Sequence, residues 1–201
     1  MEQDGVNGPE EEKIVQEPAV PSEPTPRMLA WARNSSLYRL NRRMMTEREL
    51  HDALRRKAMT KFEGMTAELA AKLADSGVAF CREQGFLDDR HYAEVKTASA
   101  SRSGHSRRRI ARDLGKKGVA RPLVEEALDE VDDLRSALNF ARKRAFGPYR
   151  RVELDERRVM KEFSAFARNG YSAGMAQKIV RMSETELAEI EESFGPSGFF
   201  S

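Results

Sequence analysis

The chain has 201 residues, 39% of them hydrophobic, 34% charged and 7% aromatic, which allows one respectable core or several small ones beneath a very polar surface. Cys81 is the one cysteine, so an intramolecular disulfide and a cysteine-based metal centre within one chain are excluded, and a reducing compartment fits. The net charge of +2 is uneven: seven acids against Lys13 and Arg27 put residues 1–27 at −5 and leave residues 28–201 at +7.

Residues 1–27 also hold five prolines and little that a core would take, the composition of a disordered acidic tail. No basic stretch leads into an apolar run, and nowhere do about 18 apolar residues follow one another, so the expectation is a cytoplasmic chain with no membrane span. From Met28 the good helix formers Ala, Leu, Glu, Arg and Lys dominate, and short helices follow one another, each opened by a capping residue. A first helix is expected over Met28 to Met44. Thr46 with Glu49 forms a capping box that opens a second, whose Leu50 and Leu54 give the buried stripe. A third runs from near Thr66 to Gly85, and Asp88 caps a fourth that ends at Gly104. Ser106 caps a fifth that Gly118 closes, Pro122 sits in the first turn of a sixth, and Asp132 or Asp133 opens a seventh that Gly147-Pro148 ends. Asp155 caps an eighth up to Gly170, Ser172 a ninth, and Ser183 with Glu186 a short acidic tenth stopped by Gly195-Pro196.

The spacing repeats. At an offset of 60, Thr46 aligns with Ser106, Leu50 with Ile110, Leu54 with Leu114 and Met59 with Val119. At an offset of 52, Leu114 aligns with Phe166, Lys117-Gly118-Val119 with Asn169-Gly170-Tyr171, Leu123 with Met175 and Leu128 with Val180. The expected fold is all-α: tandem three-helix repeats forming an elongated, curved solenoid, in which each unit buries its apolar face against its neighbours. The expected divisions are a tail over 1–27, repeats over 28–87, 88–131 and 132–182, and an acidic helix with tail over 183–201.

No constellation for catalysis or metal binding stands out. His51, His91 and His105 have no second histidine at helical ligand spacing, the serines lack nucleophile-elbow glycines, and the glycines lack a phosphate-cradling pattern. Cys81 reads as a small packing residue. No cofactor is expected, and the chain reads as a monomeric binding protein rather than an enzyme. Its chemistry is cationic. Arg107, Arg108 and Arg109 occupy the first turn of the fifth helix, where they oppose the helix dipole, and Arg112, Lys116 and Lys117 follow. With Ile110 and Leu114 facing the core, Arg108, Arg109, Arg112 and Lys116 form one basic face on the opposite side. Arg142, Lys143 and Arg144 close the seventh helix, and Arg150 and Arg151 extend the stripe. The rival reading, a helix-turn-helix regulator over 110–130 that reads DNA bases, places Glu125, Glu126, Asp129 and Glu130 against phosphates, which repels.

Three motifs carry a resemblance: Thr46-Glu47-Arg48-Glu49-Leu50 with Leu54-Arg55-Arg56-Lys57; Gly85-Phe86-Leu87-Asp88-Asp89-Arg90-His91-Tyr92-Ala93; and Arg108-Arg109-Ile110 with Leu114-Gly115-Lys116-Lys117-Gly118-Val119. Over about Leu37 to Arg181 the chain resembles the RecX regulatory proteins. The resemblance implies tandem three-helix repeats and a partner, the RecA recombinase, whose filament on single-stranded DNA is bound in its groove. It implies restraint of strand exchange, ATP hydrolysis and co-protease activity, hence a place in recombination, repair and the SOS response, without catalysis by the chain itself.

Overall fold

The computed structural model describes residues 22–194, which form ten α-helices and one 3₁₀ turn, with no strand among the described residues. The helices are α1 (Pro26–Arg42), α2 (Glu47–Lys61), α3 (Ala67–Glu83), α4 (Asp89–Arg102), α5 (Arg107–Lys116), α6 (Arg121–Leu128), α7 (Asp133–Arg144), α8 (Glu156–Arg168), α9 (Ala173–Arg181) and α10 (Glu184–Ser193), with the 3₁₀ turn at Gly147–Tyr149. Nine of the ten begin at a Thr, Asp or Ser whose side chain accepts a backbone N–H of the first turn. α6 begins at Ala120 without a side-chain cap, and Pro122 in its first turn removes a donor that has no helical partner.

Three helix boundaries differ from the sequence reading. Thr25 caps α1 and Pro26 occupies its first turn, so the helix starts two residues before Met28 and takes in the last two residues assigned to the tail. It also ends at Arg42, two residues short of Met44. Residues 1–21 of the tail, like Gly195-Pro196, lie outside the described residues. α7 stops at Arg144 because Ala145 adopts a left-handed conformation with φ 51, ahead of Gly147-Pro148. Asp132 is the cap of α7, its carboxylate accepting Leu134 N at 2.7 Å and Arg135 N at 3.3 Å.

Each trio of helices closes around its own core. In the first, Leu50, Leu54, Ala74, Val78 and Cys81 pack together beside a second group formed by Ala58, Met65, Leu69 and Leu73. Trp31 meets Phe62 edge to face at 5.2 Å. In the second, Tyr92 and Ala93 of α4 cover Ile110, Leu114, Val119, Val124 and Leu128. In the third, Phe166 is fully buried beneath Phe140, Phe146 and Tyr171, with ring centroids 5.1 to 6.5 Å apart. Leu187, Ile190 and Phe194 bring α10 onto that third core. Each buried large side chain contributes about 1.5–3 kcal/mol, so three small cores together do what one large core does elsewhere.

The second and third helices of every trio are joined by the same short device. Gly64, Gly118 and Gly170 all have positive φ, and each is followed by a buried apolar residue, Met65, Val119 or Tyr171. The counterpart of Val119 is therefore Met65, whereas Met59 lies within α2 with its side chain exposed. The offset of 60 holds at the start of the helix and fails at its end, because α2 has 15 residues and α5 has 10.

Candidate interaction surface and the joints between units

What links one unit to the next is a set of helix caps shared across the boundary. Thr46 caps α2 by accepting Glu49 N at 3.1 Å, and its hydroxyl donates to the Lys117 carbonyl at 2.6 Å. One repeat later Ser106 does the same: it accepts Arg109 N at 3.2 Å and donates to the Asn169 carbonyl at 3.0 Å. Each hydroxyl thus satisfies an orphan donor of its own helix and an orphan carbonyl at the C-terminus of the equivalent helix in the following unit.

The aspartate doublets complete the joint. Asp88 caps α4, accepting Arg90 N at 2.8 Å and His91 N at 3.1 Å, while Asp89 reaches back to accept Glu47 N of α2 at 2.9 Å. Asp132 caps α7 in the same way, and Asp133 accepts Arg107 N of α5 at 2.7 Å. In each pair the first acid opens its own helix and the second closes the preceding unit onto it. Gly118 and Gly170 sit where a Cβ would run into Arg48 and into Ser106 with Arg109, respectively, so the joint requires glycine for space as well as for φ.

Charge then distinguishes the two joints. At the first, Lys117 Nζ lies 2.7 Å from Glu49, which Arg43 also approaches at 3.5 Å. Burial pushes the Glu49 carboxyl up, but the Lys117 hydrogen bond, the Thr46 amide and the two cations outweigh it and hold it below the usual carboxylate value; Lys117 is raised by the same bond. Asp89 moves the other way, raised by burial that its hydrogen bond from Glu47 does not offset. At the second joint the partners are Arg109 and the amide of Asn169, whose nitrogen donates to the Gly104 carbonyl at 2.9 Å. Tyr171 donates to that carbonyl too, at 2.9 Å, and burial drives its phenol far above its ordinary value.

The cationic residues singled out in the sequence divide accordingly. Arg107 donates to the Val131 carbonyl at 3.0 Å and Arg109 to Asn169, while Lys117 pairs with Glu49, so these three are bound into the joints. Arg150 is turned inward, with a side-chain exposure of 13% against a fully buried Glu162. It grips that carboxylate through two bonds of 2.9 and 2.7 Å and also donates to the Val180 carbonyl at 3.0 Å. Lys143 is exposed and donates to the Arg102 carbonyl at the end of α4 at 3.0 Å, which brings the α7 cations to the turn that leads into α5. Arg142, Arg144 and Arg151 are exposed. Arg108, Arg112 and Lys116 remain, exposed and spaced four residues apart along one line of α5. Of these, Arg112 alone approaches an acid, its neighbour Asp113 at 3.6 Å.

The opposite helix of this unit is acidic outside. Glu125, Glu126, Asp129 and Glu130 are exposed on or just after α6, with Arg121 pairing to Glu125 at 2.7 Å and Arg90 to Glu126. Such a face does not enter a DNA groove. The described residues contain no group of three or more His, Cys, Asp or Glu side chains placed to hold a metal, and no helix long and apolar enough to cross a membrane.

The joint residues Thr46, Asp89, Asp133 and Asn169, the buried Glu162, and four arginines of the first unit, Arg39, Arg42, Arg43 and Arg56, have no part in the sequence reading of the site. For the joints a signal was present: two Asp-Asp doublets, 44 residues apart, each following an apolar residue buried at 4% and 8%, Leu87 and Val131. A single buried acid such as Glu162 leaves no such trace.

Comparison with known proteins completes the picture. A family model described as "RecX, second three-helix domain" matches residues 88–128, the trio formed by α4, α5 and α6. The chain is 53% identical over 168 residues to Regulatory protein RecX of Agrobacterium fabrum (strain C58 / ATCC 33970), covering 84% of this chain and 91% of that protein. It is 33% identical over 154 residues to Regulatory protein RecX of Myxococcus xanthus (strain DK1622), covering 73% of this chain and 82% of that protein. Among solved structures it resembles RecX from Lactobacillus salivarius, with a TM-score of 0.58 and 16% identity over 83% of this chain and 98% of that one. A further structure of regulatory protein RecX gives a TM-score of 0.57 at 20% identity over 76% of this chain and 71% of that one.

Proposed function

The chain belongs to the RecX family of regulatory proteins, and from that premise we propose that it is a cytoplasmic negative regulator of the RecA recombinase, binding the RecA filament on single-stranded DNA. The row of small units lies along the filament groove and restrains strand exchange, ATP hydrolysis and co-protease activity by occupying the surface those reactions need. It acts as a monomer, without a cofactor and without a reaction of its own. Its binding to single-stranded DNA alone is weak and indifferent to sequence.

The observation that carries this reading is the line Arg108, Arg112 and Lys116. Their neighbours Arg107, Arg109 and Lys117 are engaged in holding units together, whereas these three stand exposed on one face. Like charges so arranged repel one another and, at Arg108, oppose the helix dipole. An acidic protein surface or a phosphate backbone relieves that repulsion on docking. Lys143 and Arg144, brought in by the bond from Lys143 to Arg102, lie next along the docking face, and Arg142 and Arg151 continue it.

The test is a pull-down with the cognate recombinase, with and without single-stranded DNA, beside an assay of the recombinase's DNA-dependent ATPase. Retention on the nucleoprotein filament with a fall in ATP hydrolysis is the expected result. An unchanged ATPase rate at saturating chain, with no retention on the filament, contradicts the proposal.

A further inference from the structure

The geometry points to a binding site for single-stranded nucleic acid in the first unit, with a phosphate seated in an arginine-lined notch between α1 and α2 and a base laid against Tyr38. This surface is separate from the α5 line and does not depend on it.

The notch is a cavity of about 450 Å³ whose wall includes Arg39, Arg42, Arg43 and Arg56. Two acids also line it, Glu49 and Asp52, and of these Glu49 is already held by cations. Glu49 is held by Lys117 at 2.7 Å and Arg43 at 3.5 Å, and Asp52 lies 3.4 Å from His51. Arg39 is half-buried on the wall of the notch and has no acid within ion-pair distance among the described residues. Arg56 is exposed and has no acid within ion-pair distance among the described residues. Four guanidinium groups around one cavity, three of them without an acid, make a receptor for a tetrahedral oxyanion with several acceptor oxygens.

Nucleic acid is favoured over an acidic peptide by what stands beside the arginines. Tyr38 is 62% exposed. Arg42 donates to its hydroxyl at 2.9 Å, with the guanidinium carbon 5.6 Å from the ring centroid. The pair holds the ring in place at the edge of the notch. A held, exposed aromatic face next to a cationic groove is the arrangement on which unpaired bases stack while their phosphates are neutralised. A glutamate side chain has no planar apolar surface to place on Tyr38, so the ring serves no purpose for an acidic peptide.

The experiment uses the full chain and no recombinase, so its outcome is independent of the proposed filament binding. A labelled oligothymidylate of roughly twenty nucleotides, longer than one binding footprint, is titrated by fluorescence anisotropy over a range of salt. Arg39→Gln with Arg56→Gln is expected to weaken binding by about tenfold or more. It should also reduce the slope of log affinity against log salt by about 1.4, at roughly 0.7 for each phosphate no longer neutralised. Tyr38→Ala is expected to weaken binding several-fold with the salt slope unchanged, and Tyr38→Trp to restore it, because stacking is not ionic. A polyglutamate peptide of equal charge is titrated in parallel and is expected to bind the parent more weakly than the oligonucleotide.

The site is overturned if the double glutamine variant, melting as the parent does, binds oligothymidylate within about twofold of it with an unaltered salt slope. It is also overturned if polyglutamate binds as tightly as the oligonucleotide and Tyr38→Ala affects neither, since the notch then takes acidic protein. Should the double variant fail to fold, Arg56→Gln and Tyr38→Ala, both at exposed side chains, decide the matter: binding unchanged in both refutes the site.

Discussion

Replacing Ser106 by Ala removes one oxygen and tests whether a helix cap also serves as a joint between units. The hydroxyl is fully buried and makes two hydrogen bonds, accepting Arg109 N at 3.2 Å and donating to the Asn169 carbonyl at 3.0 Å. Loss of an N-cap costs about 1 kcal/mol. The Asn169 carbonyl, on a residue 4% exposed, keeps only the Ser106 amide at 3.4 Å, and an acceptor left short of partners in a buried site adds about 1–3 kcal/mol. The expected total is therefore about 2–4 kcal/mol, with no cavity term, since a methyl replaces a hydroxymethyl group. Ser172→Ala is the matched control. Ser172 caps α9 by accepting Met175 N at 3.2 Å but is exposed and makes no bond across a unit boundary, so its loss should cost about 1 kcal/mol. Urea unfolding followed by far-ultraviolet circular dichroism gives both numbers, provided the slopes agree. If Ser106→Ala costs no more than Ser172→Ala, the second bond contributes nothing and the joint is held some other way.

Two further outcomes follow from the same geometry. Glu162→Ala leaves the enclosed Arg150 guanidinium and the Gly147 N–H, now bonded at 3.0 Å, without their carboxylate, and should destabilise the fold by about 3–5 kcal/mol; a loss below about 1 kcal/mol in urea, the range of an exposed pair, contradicts a buried role. Glu49, held below its ordinary value of 4.5, contributes stability that is complete above that value and is lost as pH falls through its lowered folded value. Thermal stability measured from pH 6 downward should therefore drop less in Glu49→Gln than in the parent, and parallel acid limbs refute the assignment.

Caps and glycines were legible because they act locally: Thr46, Thr66, Ser106, Asp155, Ser172 and Ser183 stand directly before the helices they open, and Gly118 and Gly170 follow the C-caps of α5 and α8. The repeat was legible wherever helix starts align, as Thr46 and Ser106 do, and misleading at Met59, since α2 has 15 residues and α5 has 10. The doublet Asp132-Asp133 looked like a choice between two caps for one helix. Both are used, the second by a helix 26 residues earlier, and the one trace of that in the sequence is the recurrence of the doublet at Asp88-Asp89. Charge was visible as a stripe but not its use. Nothing in the letters separates Arg108, which is exposed, from Arg109, which reaches Asn169, or Arg151 from the enclosed Arg150. The notch escaped notice because its arginines are split between the end of α1 and the middle of α2, where each reads as a solvated helix residue.

The role of the α5 line as the docking surface is tested most directly by reversing Arg108, Arg112 and Lys116 to Glu together and measuring inhibition of the recombinase's ATPase on single-stranded DNA. Arg109 is left intact because it belongs to the joint with Asn169. Acid at Arg108 suits the helix dipole and acid at Lys116 opposes it, so the net effect on folding is small. Abolishing three intermolecular charge pairs together, at about 2 kcal/mol or more for each that is buried on docking, should raise the concentration needed for inhibition by well over tenfold. Changing Glu125, Glu126 and Asp129 to Gln should leave inhibition intact. If the charge-reversed chain melts with the parent and still inhibits at the parent's concentration, the α5 line is not the docking surface.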